Sequence, residues 1–194
     1  MLKDLVLANR SYRRYDERYR VSHEDLMDIV DHARLSPSAK NGQVLKFYLA
    51  TESDLVAKIQ RHTEWAGLLS HLNLPREGER PTGFIVILHD LSLEPRIAKS
   101  QNDVGIVSAV MTLAATEKGL GCCMIGSYSG KGLKEDLNLQ EHLAPVFVLA
   151  LGKPNEKIVL TEAPEDENVA YYRDNNDIHY VPKRKLEDIV VLPE

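Results

Sequence analysis

The sequence has only two cysteines among its 194 residues, and these two, Cys122 and Cys123, are adjacent. Adjacent cysteines do not easily pair with each other, and they offer no spaced set of metal ligands. The seven histidines are scattered without an HExxH or comparable spacing, so we expect no structural or catalytic metal. A reducing compartment fits this cysteine usage. No Ser-His-Asp or Cys-His arrangement for nucleophilic catalysis is visible in the sequence.

Long apolar runs are also missing, since no segment approaches the roughly 20 residues that cross a bilayer. The start of the chain, Met1 to Val6, carries an acidic residue and no signal-peptide core with a cleavage site. Acidic residues outnumber basic ones, 29 to 24, and the net charge of -5 disfavours a nucleic-acid partner. No GxGxxG follows a predicted strand, which argues against a Rossmann dinucleotide site. We therefore expect a cytoplasmic protein with neither nucleic acid nor membrane as a partner.

The apolar residues that are present, 43% of the chain, suffice for the core of one domain over residues 1–194. Their spacing predicts four helices, over residues 2–7, residues 22–35, from a cap at Ser53 onward, and over residues 103–118. Short apolar runs predict four strands, over residues 45–51, 84–88, 122–125 and 146–151. Strands alternating with helices indicate an α/β or α+β sandwich.

The predicted helix from Asp103 to Lys118 is apolar around most of its circumference. A helix of this kind must be buried on all sides. Two arrangements satisfy the pattern. A second copy of the protein can cover the helix, or the helix can lie centrally within one chain.

A basic stretch near the N-terminus, Arg10-Ser11-Tyr12-Arg13-Arg14-Tyr15, combines guanidinium groups with a hydroxyl. Planar guanidinium forks and a neutral donor suit a phosphate. The alternative is a solvated basic turn. Far along the chain, Lys183 and Arg184 offer two further positive charges, although a charge cluster near a terminus is usually solvated.

A second stretch, residues 36–43, combines small residues with the amides of Asn41 and Gln43. Small residues let a flat ligand approach the backbone, and the amides both donate and accept hydrogen bonds. The alternative is an ordinary turn from helix to strand. A third candidate is the end of a predicted strand at Ile125 and Gly126, where a glycine permits close approach of backbone amides to a ligand. Its alternative is a plain strand terminus.

Together, the order and spacing of these segments resemble the nitroreductase family of flavoproteins. That family shows Arg-Arg-Ser-x-Arg-x-aromatic, then a helix ending in Pro-Ser-x-x-Asn-x-Gln-Pro before an aromatic strand, and later Gly-Leu-Gly, Ile-Gly and Gly-Lys-Pro. The counterparts here are Arg10 to Tyr15, Pro37 to Gln43 with Phe47, Gly119-Leu120-Gly121, Ile125-Gly126 and Gly152-Lys153-Pro154. The resemblance spans nearly the whole chain, and its first two segments at this separation are fairly specific.

The resemblance implies an α+β fold with a mixed sheet wrapped by helices, a homodimer, and one FMN in each of two interface sites. It implies that the FMN phosphate is bound by Arg10, Ser11 and Arg13, with Lys183 or Arg184 as the C-terminal contact. It implies that the partner chain contributes the loop with Pro37, Ser38, Ala39 and Asn41, with Gln43 close by. Ile125 and Gly126 resemble the segment beside the reactive part of the isoalloxazine ring.

Two departures from the family pattern matter. Asn9 stands where many members have a first arginine, so phosphate binding is expected to depend more on Arg13 and the C-terminal basic pair. Val44-Leu45 replaces the usual Pro-Trp after the glutamine, which leaves the shape of the flavin edge open. Trp65-Ala66-Gly67 and the loop from Pro75 to Pro81 are expected to line the substrate side.

The implied function is an FMN-dependent oxidoreductase. It would pass electrons from NADH or NADPH through FMN, in a ping-pong sequence, to a nitroaromatic, a quinone or a similar small acceptor. The flavin carries the chemistry, so no side chain is expected to be catalytic. One alternative is a flavin-binding sensor or storage protein without turnover. Another is an apo interaction protein whose apolar helix serves only dimerisation.

Overall fold

The computed structural model describes residues 1–163 and 168–193. The helices are α1 (Leu2–Ala8), α2 (His23–Arg34), α3 (Ser53–Gln60), α4 (Gln101–Glu117), α5 (Gly130–Asp136) and α6 (Leu186–Ile189). The strands are β1 (Leu45–Ala50), β2 (Gly83–Asp90), β3 (Gly121–Ile125), β4 (Leu143–Gly152), β5 (Ile158–Glu162), β6 (Tyr172–Arg173) and β7 (His179–Lys183). No described helix is long and apolar enough to cross a membrane.

The main sheet has four strands in the order β1-β2-β4-β3, and these four strands pair with one another antiparallel throughout. The expectation of a mixed sheet is therefore wrong for these four strands. A smaller sheet, β5-β7-β6, is the mixed one, because β7 pairs parallel with β5 and antiparallel with β6. Apolar runs in the sequence show where strands lie. The relative direction of two strands depends on the chain segments that connect them, and the apolar runs carry no information about those segments.

The core lies on both faces of the main sheet, with β2 buried along its whole length in the middle. On one face, α2 and α4 pack through residues that include Leu26, Ile29, Met111 and Ala115. On the opposite face, the buried core includes Ile59 of α3 and Leu133 of α5. Helices thus cover the sheet on both sides, and the predicted α+β class is confirmed.

The start of α2 is fixed by a capping box, as the sequence predicts. The Ser22 hydroxyl accepts the Asp25 backbone N–H at 3.0 Å, and the Asp25 carboxylate accepts the Ser22 N–H at 3.3 Å. The predicted cap of α3 is wrong. Ser53 is the first helical residue, and the extended residue before it, Glu52, occupies the cap position without a side-chain hydrogen bond.

One chain does not bury α4 on all sides. Its inner face, with Val107 and Met111, is buried against the sheet and α2. On the outer face, Ile106 is 37% exposed and Ala109 is also exposed. The helix therefore lies on the outside of the sheet rather than at the centre of the chain. The described residues of one chain therefore do not bury α4 on all sides, as a central position within the chain would require.

Candidate functional site

The basic segment after α1 lies along the edge of the main sheet. Ser11 forms a parallel bridge with Cys122 of β3, and the Tyr12 N–H donates to the Cys122 carbonyl at 3.0 Å. This contact requires glycine at position 121, since a Cβ there would lie 2.7 Å from Cδ2 of Tyr12. The segment is extended and tied to β3, so it is not a freely solvated turn.

A cavity of about 300 Å³ lies between this segment and the small sheet. Its walls are formed by Asn9, Arg10, Ser11, Arg13, Ile158, Tyr171, His179, Val181 and Lys183. The fold therefore brings the N-terminal residues Arg10, Ser11 and Arg13 together with Lys183 of β7. Of the two C-terminal basic residues, Lys183 is the one that lines the cavity, and Arg184 follows it in the chain just after β7.

Two hydrogen-bond donors of the residues that line this cavity have no acceptor within the described chain. The Nε atoms of Arg10 and Arg13 are buried and have no hydrogen-bond partner among the described residues. Arg10 otherwise donates from its guanidinium to the Val6 carbonyl, and Arg13 donates to the Ser11 carbonyl at 3.1 Å. Among the described residues, no aspartate or glutamate lines the cavity. Because unsatisfied buried donors are unfavourable, this lining suits an anion with several oxygen atoms.

Arg13 and Arg14 are neighbours in sequence but are held in different ways. The Arg13 guanidinium lies over the Tyr171 ring, 4.7 Å from its centroid. Arg14 points away and forms ion pairs with Glu79 and Asp177, and its hydrogen bond to Glu79 raises the pKa of its guanidinium. Carboxylates thus neutralise the Arg14 charge, whereas the Arg13 side chain lines the cavity.

Asn9 lines the cavity but contributes no charge to it. Its side-chain amide donates to the Thr112 hydroxyl of α4 at 2.9 Å. The residue that stands in place of the family's first arginine therefore ties the basic segment to α4.

The second predicted segment, residues 36–43, lines a different cavity of about 250 Å³. Of the predicted residues, Pro37, Ser38 and Gln43 form part of its wall. The Ala39 N–H donates to the Asp103 carboxylate of α4 at 3.0 Å. Asn41 has a positive φ of 53°, a region that asparagine tolerates better than most residues, and its side-chain oxygen accepts from the Gln43 amide at 3.2 Å.

Among the described residues of one chain, none lines both cavities. Neither Ile125 nor Gly126 lines either of them. The Ile125 side chain is buried in the core on the α3 and α5 face, whereas Gly126 is exposed at the end of β3. A single chain therefore separates the segments that the family resemblance places around one flavin.

The two segments expected on the substrate side do lie together. Trp65, Pro75 and Pro81 line one cavity of about 610 Å³. Arg20, Arg61, Arg80 and Glu17 also line this cavity, so it combines the aromatic ring of Trp65 with charged groups of both signs.

Sequence reasoning missed three polar or aromatic residues at the 300 Å³ cavity or directly behind it. His179 and Tyr171 line it, and Glu156 accepts the backbone N–H of Arg13. No motif indicated them, because they lie on or beside the short strands of the small sheet. The described residues contain no cluster of three or more histidine, cysteine or acidic side chains able to hold a metal. Cys122 and Cys123 are free and buried, and burial raises the pKa of Cys123 to about 11.

The fold and the cavity together define an α+β protein with a cationic pocket built from both ends of the chain. The nitroreductase family model matches residues 6–153, and this chain belongs to the nitroreductase family.

Relatives and solved structures support that assignment. A protein of Archaeoglobus fulgidus, provisionally named an NADH dehydrogenase/NAD(P)H nitroreductase, is 25% identical over 84% of this chain and 91% of its own length. The nitroreductase family protein of Streptococcus pneumoniae TIGR4 has the same fold, with a TM-score of 0.69, 17% identity, and coverage of 88% of this chain and 99% of that one. An FMN-dependent nitroreductase of Clostridium difficile R20291 matches with a TM-score of 0.62 and 23% identity, over 79% of this chain and 87% of that one.

Proposed function

We propose that this protein is an FMN-dependent oxidoreductase that uses NADH or NADPH and acts as a cytoplasmic homodimer. The observation that carries the proposal is that the Nε atoms of Arg10 and Arg13 are buried without a hydrogen-bond partner in the described part of the chain, in a cavity that Lys183 also lines. Family membership makes a flavin phosphate the anion that best fits this cavity.

The residues present fit an FMN phosphate. A phosphate monoester carries nearly two negative charges and three acceptor oxygens. Arg10, Arg13 and Lys183 supply positive charge, and the Ser11 hydroxyl supplies a neutral donor. Arg184, next to Lys183, adds to the positive charge at this end of β7. Guanidinium groups suit this role because their planar fork matches phosphate oxygens.

The flavin ring needs further contacts, which we assign to the loop that lines the 250 Å³ cavity. In a homodimer, the loop of a second copy would bring Pro37, Ser38, Ala39, Asn41 and Gln43 to the ring. The separation of the two cavities within one chain is the observation that favours this arrangement.

At the end of β3, the backbone around Ile125 and Gly126 would lie beside the ring. The Ile125 side chain is buried in the core, so only its main chain is left for such a contact.

When bound, FMN supplies the chemistry by accepting a hydride and passing electrons on to a second substrate. The protein's own residues bind the phosphate, orient the ring and shape the space above it. We propose a ping-pong sequence, in which the nicotinamide leaves before a nitroaromatic, a quinone or a similar small acceptor enters. The name of a Helicobacter acinonychis relative, an oxygen-insensitive NADPH nitroreductase 38% identical over 61 residues, is consistent with this substrate class.

A second candidate is a flavin-binding protein without turnover, a sensor or a storage protein. The same cationic cavity would serve it. Bound FMN with no oxidation of either nicotinamide would identify it.

The test uses the purified full chain, reconstituted with FMN. We expect a yellow protein with about one FMN per chain, and oxidation of NADH or NADPH that depends on an added acceptor. Double-reciprocal plots at several acceptor concentrations should give parallel lines, as a ping-pong sequence requires. A colourless protein that ignores added FMN would overturn the proposal. A yellow protein that oxidises neither nicotinamide would favour the sensor or storage role.

A further inference from the structure

His179 of β7 is a buried histidine in the wall of the 300 Å³ cavity, with 1% of its surface exposed. Its ring lies 5.3 Å from the ring of Tyr171, centroid to centroid. Its backbone N–H donates to the Lys157 carbonyl at 2.9 Å. The position of the imidazole is therefore set by the small sheet and by the aromatic ring beside it.

The contacts of the two ring nitrogens determine where the proton of His179 lies. Nε2 is 3.3 Å from a terminal guanidinium nitrogen of Arg13. A guanidinium only donates hydrogen bonds, so Nε2 must accept, and the proton of the neutral ring must be on Nδ1. Nδ1 is buried and has no hydrogen-bond partner among the described residues. His179 therefore presents an N–H donor that nothing in the described chain satisfies.

The surroundings keep this ring neutral. Burial is the main cause that lowers the pKa of His179 to about 4, and the charges of Arg13 and Arg173 lower it further. Arg10 and Lys183 add positive charge to the same cavity wall. Glu156, the acidic group behind Arg13, is paired with Arg173.

Three residues of one cavity thus have buried donors without acceptors, namely Arg10, Arg13 and His179. Within the described part of the chain, the cavity wall contains no aspartate or glutamate that could accept from these donors. A group with several acceptor oxygens and no donors matches this lining.

We propose that His179 is a phosphate-binding residue that donates its Nδ1–H to an oxygen of the FMN phosphate held by Arg10 and Arg13. The proposal rests on the proposed function, since it names a further ligand contact of the same site. A neutral donor binds the phosphate without adding another charge to a cavity that already contains three cations. Its Nε2 atom also orients Arg13, so that one imidazole serves both the phosphate and the neighbouring guanidinium.

Three substitutions separate the two ring nitrogens. His179→Asn places an amide donor near the position of Nδ1, His179→Gln places its amide near Nε2, and His179→Phe keeps only the ring. We expect His179→Asn to bind FMN within about threefold of the unmodified protein. His179→Gln and His179→Phe should bind it about tenfold more weakly, as expected when a hydrogen bond to a charged group is lost. Riboflavin, which has no phosphate, should bind all four proteins equally.

Fluorescence titration with both flavins gives the affinities, and ¹⁵N NMR of the histidine ring tests the tautomer directly. The unliganded protein should show a proton on Nδ1, and the Nδ1–H resonance should shift when FMN or inorganic phosphate is added. Unchanged FMN affinity in His179→Phe, equal losses for both flavins, or a proton on Nε2 would each overturn the role of His179. Failure of the unmodified protein to bind FMN would instead refute the proposed function. In that case the response of the Nδ1–H resonance to inorganic phosphate would still decide whether His179 binds an anion.

Discussion

The Glu156 carboxylate forms a buried ion pair with the Arg173 guanidinium, and the two side chains are 0% and 3% exposed. The same carboxylate accepts the backbone N–H groups of both Arg13 and Arg14. One acidic side chain therefore joins the basic segment to the small sheet and fixes the direction in which Arg13 leaves the backbone.

Glu156→Gln should destabilise the protein, because it removes the fully buried carboxylate that pairs with Arg173 and leaves Asp177, 3.2 Å away, as the counter-charge of that guanidinium. Complete loss of the partner of a buried charge costs about 3 to 5 kcal/mol, and the remaining contact with Asp177 makes this an upper bound. Urea denaturation monitored by circular dichroism measures the free energy of unfolding. The matched control is Glu94→Gln, in which the substituted residue pairs with the exposed Arg96 and should matter little. Equal, small effects of both substitutions would show that the Glu156 pair does not anchor the segment.

Arg10→Ala and Arg13→Ala should each weaken FMN binding by about ten- to a hundredfold. Each variant removes a charge-assisted hydrogen bond to phosphate, worth about 1.5 to 3 kcal/mol. Riboflavin affinity should be unchanged, and adding Lys183→Ala should compound the loss for FMN. Flavin fluorescence titrations measure both affinities. Arg96→Ala, on the surface and outside the cavity, should leave both as they are. Equal weakening of both flavins would mean that the basic segment has only a structural role.

Sedimentation analysis at micromolar concentration should give the mass of two chains. The uncovered apolar surface of α4, which includes Ile106, is the structural reason for this expectation. Ile106→Glu should shift the mass to that of one chain and reduce FMN affinity, because a charge at an apolar interface is unfavourable. Ile106→Leu, which keeps the apolar character, should remain dimeric. A monomeric protein that still binds FMN tightly would contradict a site shared between two copies.

The stability of the FMN-free protein should fall between pH 6.5 and about 4 as His179 titrates. Its pKa is lower in the folded chain than the ordinary value of 6.5, so the unfolded state binds the proton first. Stability from His179 is thus fully present above pH 6.5 and is lost as the pH falls toward 4, by at most about 3 kcal/mol. The charged groups beside the ring are the guanidinium groups of Arg13 and Arg173. Urea denaturation of the unmodified protein and of His179→Asn across this range isolates the effect, and identical pH dependence would contradict it.

The sequence by itself determined those features that depend on local patterns. The capping box of Ser22 and Asp25 marks the start of α2, because both partners lie within one helical turn. The uninterrupted apolar run of β2 identifies a buried strand, and the long apolar pattern of α4 identifies a helix with a large apolar surface. The order of the basic and small-residue segments was enough to indicate the nitroreductase family, and the match over residues 6–153 confirms it.

The tertiary structure alone decided which residues share a cavity. α5 begins with two glycines in its first three residues, and β6 has only two residues, so neither has a pattern long enough to be recognised. Strand direction and the placement of His179 and Glu156 depend on contacts with the N-terminal segment, more than 140 residues away in the chain. Contacts between residues this far apart produce no repeating pattern in the local sequence. They depend on burial and charge pairing between elements that meet only in the folded chain. The same packing turned Lys183 toward the cavity and left Ile106 of α4 uncovered.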